Sequence, residues 1–287
     1  MWGTTWFGIK LQLDSTVAPL FSIAYRFAIA SILLFAFLAI TGKNLKYSLS
    51  QHMWFMLQGI LLFGICYWLT YIAEMGLTSG LVAVLSSLII FFNVMFGRVL
   101  LKKPIQPKLL LGFVVGISGM ALLYKDELSS NGFDQKGIQL LGIAVLSNIV
   151  ASLGNIVSAR NQSKGLPIPQ TNAYGMAYGV LLVFGIGMLT GNELTFDWNP
   201  NYVGSLIYLA IFGSIIAFYC YLTILGQLGA GKAAYVNLVI PIIALLVSSL
   251  FESFQWTAIA FLGLGLVLFG NWIALSKWNP LKKRETP

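Results

Sequence analysis

The chain has 287 residues, of which 58% are hydrophobic and 9% charged, against roughly 25% charged in an ordinary soluble domain. That composition excludes a water-soluble globular protein, and one histidine with two cysteines leaves little from which to build a metal centre or a disulfide scaffold. The formal net charge of +8 invites a nucleic-acid reading, but the order of the charges along the chain answers it differently.

Ten apolar segments follow one another. Segment 1, residues 1–13, is short: at about 1.5 Å per residue it reaches only ~20 Å, so the span is expected to draw on residues before Met1. Met1–Leu13 has neither the basic stretch nor the small-residue cleavage site of a signal peptide, and is read as a span. Segments 2 to 10 cover 19–41, 52–73, 77–100, 105–124, 138–159, 170–191, 202–226, 230–251 and 256–276. Each has about the 20 residues needed to cross ~30 Å of hydrocarbon. The fold class is therefore all-α and integral to the membrane, with ten transmembrane helices and the lipid bilayer as a partner.

Polar and aromatic residues recur at helical spacing in these segments. Segment 1 carries Trp2 and Trp6 one turn apart, then Lys10; segment 2 carries Arg26. Segment 3 places Tyr67, Tyr71 and Glu74 on one face. Segment 4 has a small and polar stripe through Ser79, Ala83, Ser86, Ile90, Asn93 and Gly97, and segment 9 has its counterpart through Ala230, Ala234, Asn237, Pro241, Ala244 and Ser248. Segment 6 carries Asn148, Ser152 and Asn155; segment 7 carries Tyr174 and Tyr178; segment 8 carries Tyr219 and Tyr221. Close helix packing accounts for most of the stripes. Amides at bilayer depth require a partner or a watery cavity, which singles out Asn93, Asn148, Asn155 and Asn237. Trp6, Tyr71 and Tyr178 lie deep enough to line a pocket, whereas Trp2, Trp54, Trp198, Trp272 and Trp278 suit an interfacial belt. Arg26 and Lys10 are candidate contacts for an anionic group. The glycines of segments 5 and 10 (Gly112, Gly116, Gly263, Gly265, Gly270) suit scaffolding or a homodimer.

The charges fix an orientation. With the N-terminus inside, Lys43, Lys46, Arg98, Lys102, Lys103, Lys108, Arg160, Lys164, Lys232, Lys277, Lys282, Lys283 and Arg284 fall on the cytoplasmic side, and only Lys125 and Lys136 outside. Eight of the nine acids (Asp14, Glu74, Asp126, Glu127, Asp134, Glu193, Asp197 and Glu252) lie outside or near the outer ends. The positive charge is thus membrane topology, and no nucleic-acid partner is expected.

The chain also overlays itself. At a shift of 150, Lys10 falls on Arg160, Pro19 on Pro169, Ile65 on Ile215, Tyr71 on Tyr221 and Gly76 on Gly226; at 151, Gly112 falls on Gly263 and Gly119 on Gly270. Each copy holds five segments. Five is odd, so the second enters the membrane inverted, a pattern of secondary transporters. The division is 1–124 for the first repeat, 125–137 for an external linker, 138–276 for the second repeat and 277–287 for a basic cytoplasmic tail.

No H-E-x-x-H, G-x-S-x-G or Walker-type loop is present, so the chain is not expected to be an enzyme or to hydrolyse ATP, and no cofactor or metal is implied. Aromatic faces with amides suit a small amphipathic organic solute. A passive channel or lipid-handling membrane protein is the alternative.

Trp2–Gly3 through Lys10, the Tyr25–Arg26–Phe27 step, Ala151–Ser–Leu–Gly–Asn155, and Pro241–x₁₀–Glu252 followed by Gly263 and Gly270 together resemble the drug/metabolite transporter superfamily, within it the EamA-like ten-helix family. The likeness covers nearly the whole chain. It departs in the first half, where Phe91 and Leu101–Lys102 replace the family's proline and later Gly-Glu. The resemblance implies a pseudo-two-fold carrier in a bacterial inner membrane with both termini cytoplasmic. Segments 1, 3, 4, 6, 8 and 9 would surround a central cavity, and one half would rock against the other. Amino acids or related metabolites, often exported, are the cargo it implies.

Overall fold

A computed structural model describes the backbone of residues 1–101, 108–130, 135–228, 236–252, 254 and 256–275; side chains at 101, 109, 124–130, 228, 237, 238 and 275 are not described. The described residues form helices joined by turns and loops, without strands. In chain order the helices are α1 (Trp2–Leu13), α2 (Pro19–Ile40), α3 (Leu49–Glu74), α4 (Ser79–Leu100), α5 (Lys108–Ser130), α6 (Gln135–Ser163), α7 (Ile168–Leu189), α8 (Pro200–Gln227), α9 (Val236–Phe251) and α10 (Ala258–Leu275). Six of them (α2, α3, α4, α6, α7 and α8) are long and apolar enough to cross a bilayer, and α5, α9 and α10 carry shorter apolar runs. All of the described part of the stretch read as a linker is helix: α5 runs to Ser130 and α6 starts at Gln135.

The duplication is written in local geometry. Helices α2 and α7 both end on Thr-Gly, with Gly42 and Gly191 at φ 63° and 72°. In each, the next N–H (Lys43, Asn192) reaches back to the carbonyl of Leu38 or Gly187, so orphan carbonyls are satisfied in the same way twice. The interior of α3 widens to a π-helix over Ile60–Ile65, and α8 does the same over Leu209–Ile216, the equivalent place in the second half. Proline is not needed to break a helix here. In α4 the turn tightens at Ser87–Leu88, where Ser87, Leu88 and Phe91 N–H groups bond carbonyls three residues back, while α9 contains Pro241.

Packing joins the halves rather than separating them. One core gathers Phe27, Leu34, Phe63, Met176, Val183, Leu209 and Leu222 from α2, α3, α7 and α8. A second gathers Leu81, Leu85, Phe91, Met120, Leu123, Leu245, Leu264 and Val267 from α4, α5, α9 and α10. Within it α5 and α10 cross through glycine. A Cβ on Gly119 would stand 2.5 Å from the Gly263 carbonyl oxygen, and one on Gly270 would stand 2.5 Å from that of Gly112. Between apolar helices in lipid there is little hydrophobic drive, and such close backbone contact supplies the association energy. Gly112, Gly263 and Gly270, expected to serve scaffolding or a homodimer, thus pack α5 against α10 inside the chain, whereas Gly265 has open space around it.

Candidate functional site

Between the two cores lies a central cavity, offering about 110 Å³ to the centres of water-sized spheres. One water needs only ~10–15 Å³ by that measure, so the space suits a small organic molecule better than a single ion. Its walls come from α1, α3, α4, α6, α8 and α9, the six helices the resemblance implies, and α2 adds Arg26.

Arg26 is 1% exposed. Its Nε donates to Ser214 Oγ at 2.9 Å and its Nη2 to the Tyr67 hydroxyl at 3.4 Å, with the guanidinium 4.6 Å from the centre of the Tyr67 ring. Ser214 sits in the π-helical part of α8 and donates onward to Leu209, five residues back, at 2.9 Å. The widened helix therefore positions the arginine. Nη1 of Arg26 has no acceptor, and no carboxylate among the described residues forms an ion pair with it. Trp6, also in the cavity wall, carries a second buried donor without an acceptor, Nε1.

An amide cluster closes one side. Asn155 Nδ2 donates to Asn93 Oδ1 at 3.3 Å and to the Tyr221 hydroxyl at 3.4 Å; Ser152 Oγ donates to the same Asn93 oxygen at 2.8 Å. Asn155 faces the cavity, while Asn93 and Ser152 stand behind it as support. Asn148 lines the cavity and donates to the Ala144 carbonyl at 2.8 Å. Thr70 of α3 and Ser147 of α6, also in the lining, share a hydrogen bond of 2.8 Å beside Cys66. Trp2 and Phe218 supply an aromatic face, with ring centres 5.2 Å apart.

Of the residues singled out from the sequence, Trp6, Arg26, Asn148 and Asn155 line the cavity, and Asn93 orders its amide floor. Tyr71 is fully buried behind the wall, its hydroxyl given to Gln12 Oε1. Lys10 is outside, half exposed and 3.7 Å from Asp14. Tyr178 bonds His52 Nδ1 at 2.9 Å in an aromatic cluster with Tyr174 and Phe55, away from the cavity. The Asn237 side chain lies outside the described residues. Trp2 is a correction: instead of joining an interfacial belt, it turns inward, its Nε1 donating to the Gly213 carbonyl at 3.1 Å and its ring 4.9 Å from that of Tyr221. Tyr67, Ser147 and Tyr221 were missed as lining residues, although Tyr221 was flagged by its repeat mate Tyr71.

Comparison with known proteins agrees with this architecture. A solved crystal structure of 16% sequence identity superposes with a TM-score of 0.71, covering 95% of this chain and 92% of that one, so the fold is shared. An uncharacterized inner membrane transporter YedA of Escherichia coli (strain K12) is 29% identical over 94% of this chain and 85% of its own. A probable amino-acid metabolite efflux pump of the same organism is 24% identical over 69% and 68%, and the protein PecM of Dickeya dadantii is 25% identical over 99% and 94%. The model of the EamA-like transporter family matches twice, over residues 1–125 and 138–276. With two copies of that family's unit filling an all-helical membrane fold, the chain belongs to the EamA-like transporter family and is a membrane transporter of the drug/metabolite type, not an enzyme.

Proposed function

We propose that this transporter is a secondary carrier for a small organic metabolite bearing a carboxylate, of the amino-acid type, working by alternating access in a bacterial inner membrane with both termini cytoplasmic. The observation that supports the reading is a pair of buried donors without acceptors, Arg26 Nη1 and Trp6 Nε1, carried by two residues of the cavity lining. A buried guanidinium without a counter-ion is costly, and a donor left unmade forfeits its hydration. A carboxylate relieves both. The apolar faces of Trp2, Trp6 and Phe218 then accept the remainder of the solute, and Asn148 and Asn155 bond its polar groups. Arg26 and Trp6 are thereby the carboxylate-binding residues, with Asn237 a further candidate on α9. Export is the direction supported by the name of the efflux-pump relative.

Counterflow in proteoliposomes tests the reading. Vesicles preloaded with unlabelled L-amino acids should transiently concentrate the labelled form of one of them, and Asn155→Ala and Asn237→Ala should each reduce the signal while expression persists. Leakage without saturation would instead identify a pore.

A further inference from the structure

Glu74, at the end of α3, is 5% exposed, and neither carboxyl oxygen has a hydrogen-bond partner. Three charged groups act on it: Arg26 from α2, Lys10 from α1 and Glu252 from the end of α9. Lys10 is occupied by Asp14 at 3.7 Å. Glu252 is held by Ser79, whose N–H donates at 3.4 Å and whose hydroxyl donates to the second oxygen. Arg26 is directed to Ser214, Tyr67 and the cavity. The core that surrounds this end of α3 from α4 and α6, Leu81, Leu140 and Ala144, is apolar. A carboxylate placed there has lost its water and gained no donor, so the buried arrangement accommodates the acid form. Glu74 also continues the face of Tyr67 and Tyr71, at i, i+4 and i+7. Tyr67 stands in the cavity wall, so this hydroxyl-bearing face runs from the solute space to the carboxyl.

We propose that the Glu74 carboxyl is a proton-binding site coupled to solute movement. It binds a proton when the end of the bundle that carries Asp14, Glu74 and Glu252 is closed over it and the carboxyl is buried, as Glu74 is here. Opening that end to water rehydrates the carboxyl and releases the proton. Because burial of Glu74 and closure are one event, a proton gradient biases the access change and thereby drives the solute. The chemistry is a single protonation of a carboxylate, with bulk water as donor and acceptor. The inference rests on the carrier reading above.

Two measurements on the full-length protein in liposomes keep the two ideas apart. The first compares counterflow with pH-gradient-driven accumulation for labelled L-leucine and L-phenylalanine, in wild type and Glu74→Gln. Gradient-driven accumulation should fall in the variant several-fold more than counterflow does. The second needs no solute. In a Cys220→Ser background, the rate at which N-ethylmaleimide modifies Cys66, which lines the cavity, is followed from acidic to mildly alkaline buffer. The ratio of wild-type to Glu74→Gln rates cancels the titration of the thiol and should change several-fold across that range. A flat ratio together with equal losses of both transport modes would overturn the proposal. Absent counterflow with an intact pH-dependent ratio would instead count against the carrier reading and leave the proton site standing.

Discussion

Arg26 offers the sharpest test of what the cavity recognises. Replacing it with glutamine removes the guanidinium, and replacing it with lysine keeps the charge but loses the fork. Both variants forfeit the 2.9 Å bond to Ser214 and the stacking at 4.6 Å on Tyr67. Thermal stability should therefore fall in both, by about 1–3 kcal/mol for one charged hydrogen bond and a desolvated cation–π contact. The functional loss is separate. A single charge-assisted bond from Nη1 to a solute carboxylate is worth about 1.5–3 kcal/mol, which is roughly 10- to 150-fold in half-saturation at 1.4 kcal/mol per decade. The assay is inhibition of counterflow by a carboxylate competitor and by its carboxamide, L-phenylalanine against L-phenylalaninamide. Wild type should prefer the acid by that factor, Arg26→Gln should lose the preference, and Arg26→Lys should keep part of it. A scaffold role alone lowers stability without touching the ratio. An unchanged acid-to-amide ratio in Arg26→Gln would refute the carboxylate assignment.

Two further outcomes follow from packing. Gly119→Leu places a branched side chain where even a Cβ would stand 2.5 Å from the Gly263 carbonyl oxygen; α5 and α10 must separate, and the melting temperature in detergent should fall by the equivalent of about 1–3 kcal/mol or more, whereas Gly97→Ala, with open space around it, should leave it nearly unchanged. Asn93→Ala removes the oxygen that receives both Ser152 and Asn155. It should weaken solute binding through a disordered floor, with a larger loss than Ser152→Ala, and equal counterflow in the two variants would contradict the supporting role given to Asn93.

Much of this molecule could be read without coordinates, because membrane physics leaves few options. Hydropathy and helix length give the spans, and the inverted overlay gives the pairing of helices. The pairing of Gly112 with Gly263 and of Gly119 with Gly270 in sequence becomes a reciprocal crossing in space, Gly112 against Gly270 and Gly119 against Gly263. Helical spacing also placed Asn148 and Asn155 on the correct face of α6, and burial of an amide made Asn93 informative even though it supports the cavity without lining it. Direction of view was harder. Trp2 is the first residue of α1, a belt position by depth, yet its indole turns inward to donate to the Gly213 carbonyl in the π-helical part of α8. The π segments themselves carry no simple sequence mark, since Ile60–Ile65 and Leu209–Ile216 are as apolar as the α-helix around them. Tyr178 and Tyr71 do not line the cavity: His52 and Gln12 hold their hydroxyls, partners that no spacing rule reveals.

The way the cores form bears on how the transporter moves. A rocking of half against half would have to divide both cores, since each takes helices from both repeats. The duplication pairs α2 with α7 and α3 with α8, then α4 with α9 and α5 with α10, so the pseudo-two-fold axis maps each core onto itself. The helices accordingly group as α2/α3/α7/α8 and α4/α5/α9/α10, with the cavity between them. Helices α1 and α6, repeat mates, bridge the groups in equivalent ways. Gly8 of α1 rests on Leu209 in one π segment, and Gly154 of α6 rests on Leu62 in the other. Both bridges thus meet the first group where its helices are widened and their backbone bonding is least regular, the places at which a helix register can shift at low cost. Arg26 is tied through Ser214 to one of these segments. A carboxylate bound at Arg26, as proposed above, would therefore act on the α8 segment against which the α1 bridge rests.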